Sequence, residues 1–194
     1  MKNFILILLA AGAVFAADPA APAKAPVPRK APELAIQMPG KQMLLSNYKG
    51  YTVVLAFMST TCPHCQHLAG IMAQLQPEYA PKGVQMLGVV FNAEAPAELP
   101  NFARVFARGA FPVGMSTDAI VTEFVKHPPG IHYIPMLVFI DKNGVIRSQH
   151  LAINDANFFQ ESTEVQNIRN DIEKILKEPT VHLPAAQKTS VKKK

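Results

Sequence analysis

Three stretches of the chain are apolar at nearly every position: T-V-V-L-A-F at 52–57, V-Q-M-L-G-V-V-F at 84–91 and P-M-L-V-F-I at 135–140. Continuous runs rich in β-branched residues are expected of strands covered on both faces. Between the first two, Leu68, Ile71, Met72 and Leu75 recur at helical spacing, which predicts an amphipathic helix over 63–76 that stops before Pro77. Strand, helix and strand with short joins form a βαβ unit, hence parallel and right-handed. Further on, Leu99, Phe102, Val105 and Phe106 share one face of a helix over 97–108. A short strand near 111–115 and a helix near 118–126 follow. D-K-N-G at 141–144 predicts a hairpin turn with Asn143-Gly144 at positive φ, after which V-I-R-S-Q-H returns antiparallel. A last helix over 156–177 carries Phe158, Phe159, Val165, Ile168, Ile172, Ile175 and Leu176. The alternation predicts one α/β domain over 34–177, a mixed central sheet with helices on both faces.

The ends differ from this middle. Lys2 precedes an apolar run from Phe4 to Ala17 closed by small residues, the layout of a signal peptide over 1–16 with a cut at Ala16–Ala17. That run is short beside the roughly 17–25 residues of a membrane span, so an uncleaved tether is the lesser alternative. No cysteine stands directly after it, so a lipoprotein anchor is not expected. Residues 17–33 are rich in Pro and Ala and predict a semi-stiff linker, and 178–194 a Lys-rich solvated tail. The whole chain carries a net charge of +5, yet residues 34–177 hold 11 Lys/Arg against 11 Asp/Glu. The excess charge therefore lies in the ends, and nucleic acid loses its main argument as a partner. Met86, Met136 and the phenylalanines read as core.

Both cysteines of the chain fall in S-T-T-C-P-H-C-Q-H-L at 59–68. Cys62 stands where the first strand gives way to the first helix, and Pro63 suits the first helical position, where its missing N–H costs nothing. The free N–H groups of His64 and Cys65 then face the Cys62 sulfur, together with the positive end of the helix dipole. A thiolate there is stabilised and reactive at neutral pH. Cys65, one turn on, can attack a mixed disulfide formed on Cys62. Cys62 is the candidate nucleophile, Cys65 the resolving thiol, and Pro63 and His64 tune the pair.

At these residues the chain resembles the thioredoxin superfamily, and more narrowly the TlpA/ResA-like extracytoplasmic thiol-disulfide oxidoreductases. The likeness covers roughly 32–177 and includes L-S-N-Y-K-G-Y-T-V-V-L-A-F before the motif and I-H-Y-I-P-M-L-V-F-I-D-K-N-G far downstream. It implies a thioredoxin-like fold, a redox-active Cys62–Cys65 disulfide in place of any other cofactor, and a cis proline at Pro135. Ile134 and Pro135 would then pair with an extended protein substrate by strand addition. The implied partners are extracytoplasmic protein thiols and disulfides and a second redox protein that recharges the pair. C-P-H-C itself is the quartet of DsbA-type oxidants. Three features of such families are missing: Thr61 replaces the aromatic before the first cysteine, and Ala56 and Leu68 stand where relatives carry an acid. No carboxylate at those positions can take the Cys65 proton.

Three other readings compete. A structural disulfide across C-x-x-C closes too small a loop to constrain the unfolded chain much. A metal site for Cu(I) or Zn could combine Cys62 and Cys65 with His64, His67 or His132. Copper-binding Sco-type proteins share the superfamily fold but space their cysteines by three residues. A peroxiredoxin motif would need proline where Leu55 stands.

Overall fold

The computed structural model describes residues 25–127, 133–179 and 181. Its elements run in the order β1 (Arg29–Lys30), β2 (Ala35–Met38), β3 (Lys41–Leu44), β4 (Thr52–Met58), α1 (Pro63–Tyr79), β5 (Val84–Val90), α2 (Ala95–Val105), β6 (Val113–Met115), α3 (Asp118–Val125), β7 (Met136–Ile140), β8 (Val145–Leu151) and α4 (Glu164–Lys177). One sheet takes the order β1-β8-β7-β4-β5-β6-β2-β3. β4, β5 and β6 are parallel, joined by helical crossovers, whereas β7 adds antiparallel to β4 and β8 returns antiparallel to β7 as a hairpin. The fold is thioredoxin-like, with a mixed sheet and, among the described residues, four α-helices.

Strand β4 explains why the core has two halves. Val54, Ala56 and Met58 point to the face covered by α1, α2 and α4, and Val53, Leu55 and Phe57 to the face covered by α3. All six are essentially inaccessible, and an unbroken apolar run from Val53 to Met58 is what a two-sided core requires. Burying a side chain such as Phe57 or Leu55 contributes about 1.5–3 kcal/mol. Gly114 is needed where β2 meets β6, because a Cβ there would lie 2.5 Å from Ile36 Cγ2 and 2.6 Å from the Gln37 carbonyl.

Several expected boundaries move. Helix α1 runs through Pro77 to Tyr79. The proline lies in the last turn, its ring exposed, while Tyr79 is buried at the helix end and Gln76 ties the turn to β5 through the Val84 carbonyl and the Met86 amide (3.3 and 2.7 Å). Helix α2 starts two residues before the expected 97, with a proline in its first turn, and ends at Val105 instead of 108. In the 141–144 turn only Gly144 takes positive φ (76°). Asp141 Oδ1 accepts the Asn143 and Val145 amides instead, and a register irregularity between Phe139 and Ile140 absorbs the extra residue.

The linker expected over 17–33 is also shorter than its composition implies. Arg29 and Lys30 pair with β8, and Arg29 reaches the Phe124 carbonyl (3.2 Å) and the Gln149 side chain. This two-residue strand lies at the sheet edge between Pro28 and Pro32, where missing N–H donors are tolerated. The helix expected over 156–177 is broken. Ala156–Phe159 form a 3-10 turn, Gln160 is extended, and the α-helix begins at Glu164. Phe158 stacks on His150 at 3.7 Å between centroids. That ring contact holds the first apolar pair on the core without continuing the helix.

Candidate active site

Cys62 is the N-cap of α1, in extended conformation (φ −82°, ψ 118°), with Pro63 in the first turn behind it. Its Sγ accepts the Cys65 amide at 3.4 Å. The two thiols are close together and free, and they behave oppositely. A hydrogen bond from the Cys65 thiol, opposed by desolvation and aided by the Cys65 and His64 amides and the His64 ring charge, lowers the Cys62 pKa to about 6. Cys65 is buried, and donation to Cys62 followed by burial pushes its own pKa far up. One thiolate is thus favoured at neutral pH, on the more accessible sulfur. Pro63 and His64 are exposed beside it.

The loop carrying Cys62 is held from below. Thr60 is buried; its amide donates to Asn92 Oδ1 (3.0 Å), and Asn92 Nδ2 donates back to Thr60 Oγ1 (2.8 Å). Thr60 Oγ1 donates in turn to the Glu98 carboxylate, and Gln66 Nε2 donates to the Thr60 carbonyl at 2.8 Å. Ser59 and Thr61 hydroxyls meet at 3.0 Å. The end of β4, the start of α1 and α2 are thereby locked around the motif. The sequence reading missed this network, since Asn92 and Glu98 stand 32 and 38 residues from Thr60 and belong to no motif.

Pro135 is buried at the head of β7, and the Ile134–Pro135 peptide is cis. Pairing of Phe57 with Met136 sets this bend beside the end of β4, from which the Cys62 loop departs. Ile134 packs against both halves of the core, and Tyr133 next to it is 49% exposed. His132 lies outside the described residues. Among the described residues, no group of three or more His, Cys, Asp and Glu gathers as a set of metal ligands.

One further residue, missed by sequence reasoning, belongs to this site. Glu164 opens α4 and is 2% exposed, and its Oε2 lies 3.6 Å from His67 Nε2. Burial, with the charge of Glu161 added, raises its pKa to about 7. Its charge acts on the Cys65 thiol. The signal that could have found it is S-T-E-V-Q at 162–166, hydroxyls and an acid ahead of an apolar helical face, which marks a helix start inside the segment taken as continuous.

Comparison with known proteins agrees with this geometry. A family model described as Redoxin matches residues 21–172. The chain is 28% identical over 124 residues to the thiol-disulfide oxidoreductase ResA of Bacillus thuringiensis subsp. konkukian, covering 63% of this chain and 68% of that one. It is 28% identical over 154 residues to the ResA of Bacillus anthracis, covering 75% and 83%. Among solved structures, a putative thiol:disulfide interchange protein DsbE from Chlorobium tepidum superposes with a TM-score of 0.64 at 25% identity, covering 77% of this chain and 96% of the other. The chain belongs to the Redoxin family. Within the thioredoxin superfamily it is a ResA/TlpA-like protein, and its activity is that of a thiol-disulfide oxidoreductase.

Proposed function

We propose that the Cys62–Cys65 pair exchanges disulfides with extracytoplasmic proteins, cycling between dithiol and disulfide with no other cofactor. Cys62 attacks and Cys65 resolves. Pro63 and His64 set the ease of thiolate formation, and the backbone at Ile134 and Pro135 receives an extended segment of the partner by strand addition. A second redox protein restores the pair after each turnover. The observation that carries the assignment is the split between the sulfurs: Cys62 at the helix start titrates at about 6, and buried Cys65 is held as a thiol.

Export rests on the signal-like residues 1–16, with an uncleaved tether as the alternative, and on the extracytoplasmic family the motif resembles. Among the described residues no helix is long and apolar enough to cross a membrane. Trapping tests the roles. Cys65→Ala should accumulate mixed disulfides with partner proteins through Cys62, recovered from the periplasmic fraction, and Cys62→Ala should trap none. Accumulation through Cys65 in Cys62→Ala would reverse the assignment.

A further inference from the structure

A buried carboxylate needs a reason, because burial without a full partner destabilises its charged form. Among the described residues Glu164 pairs with His67 alone, at 3.6 Å, and it sits where its charge is felt by a buried thiol that must ionise during turnover. Cys65, Ile168 and Ile172 lie in one apolar cluster, so water cannot readily serve as the base there. His67 leads the other way. Its side chain is 44% exposed, which gives the carboxylate a titratable neighbour open to solvent.

We propose that Glu164 is the proton acceptor for Cys65, with His67 as the outlet to solvent. The inference rests on the disulfide-exchange reading above and adds the group that makes its second step possible. In the mixed disulfide, Cys62 Sγ is bonded to the partner's sulfur. Glu164 takes the Cys65 proton, and the Cys65 thiolate attacks Cys62 Sγ. The Cys62–Cys65 bond forms, the bond to the partner breaks, and its electron pair leaves on the partner's sulfur as thiolate. The partner is reduced and the protein oxidised. The proton passes from Glu164 by way of His67 to solvent or to the departing thiolate. In the reverse direction protonated Glu164 returns the proton to Cys65 as it leaves. The titratable groups facing Glu164 are Cys65 and His67 from α1 and Glu161 from the turn before α4. A carboxyl titrating at about 7 is matched to such traffic at neutral pH.

Dithionitrobenzoate separates the two attacks, since each releases one coloured thiolate: the first when Cys62 is captured, the second when Cys65 resolves. In Glu164→Gln the first release should stay within twofold of wild type and keep its midpoint near pH 6, which an unfolded chain would not show. The second should slow about a hundredfold. Its inflection near pH 7, present in wild type, should vanish, and Glu164→Asp should restore the inflection at an intermediate rate. A second release in Glu164→Gln with the wild-type rate and pH profile would overturn the proposal while leaving Cys62 as nucleophile. A wild-type protein that releases no second thiolate would overturn the disulfide-exchange reading and this inference with it.

Discussion

Two helix starts meet beside Cys65, and they treat negative charge in opposite ways. At the start of α1, Cys62 is lowered to about 6. At the start of α4, Glu164 is raised to about 7, although its helix dipole should favour a carboxylate there as well. The difference is solvent and donors. Cys62 is partly exposed and accepts hydrogen bonds aimed at its sulfur; Glu164 is 2% exposed and faces the like charge of Glu161. A dipole contributes about 0.3–1 kcal/mol near a surface, whereas burying a charge costs several. Burial wins at α4, and directed donors win at α1.

The comparison breaks most visibly in stability. Glu164 titrates near 7 in the folded protein against 4.5 as an ordinary glutamate, so between those values the folded state keeps a proton the unfolded chain has lost. Stability from this group therefore falls as pH rises through that window, and the full cost is present above pH 7. Glu164→Gln should raise the unfolding free energy of the reduced protein by about 1–3 kcal/mol at pH 8 and by little at pH 4. Urea unfolding at both pH values measures it. Equal effects at the two would show that Glu164 is not a buried, strained carboxyl.

A smaller effect sharpens the other side. Stabilising the Cys62 thiolate favours the dithiol over the disulfide, so the pair should be a stronger oxidant than an unperturbed one. We expect a potential of roughly −150 to −220 mV, between thioredoxin and DsbA. His64→Pro removes the ring charge beside Cys62 and should lower the potential by tens of millivolts, about 30 mV per 1.4 kcal/mol. Equilibration with glutathione buffers reads both. An unchanged value in His64→Pro would remove His64 from the tuning of the site.

The same contrast explains what could be read along the chain. Cys62 and Cys65 were legible because a C-x-x-C at the end of an apolar strand, followed by proline, states its own local structure. β4, β5 and β7 were legible because strands buried on both faces leave continuous apolar runs. Glu164 was not, because its burial depends on a break at 160–163 that an unbroken helical periodicity from Phe158 to Leu176 conceals. The β2–β3 hairpin was also passed over. Leu34, Ile36 and Met38 alternate towards the core ahead of Pro39-Gly40, a turn signal masked by the proline-rich stretch before it. The acid missing at Ala56 and Leu68 had no reason to be sought a hundred residues away, since only the fold brings α4 against α1.

The central claim is that ionisation is divided between the two sulfurs by the start of α1. Its most direct test is the pH dependence of iodoacetamide labelling of the reduced protein, with the modified cysteine identified by peptide mass. The account predicts that Cys62 is labelled first, with a rate midpoint near pH 6, and that Cys65 stays unlabelled at neutral pH. A midpoint near the ordinary thiol value of about 8.5, or first labelling at Cys65, would contradict it.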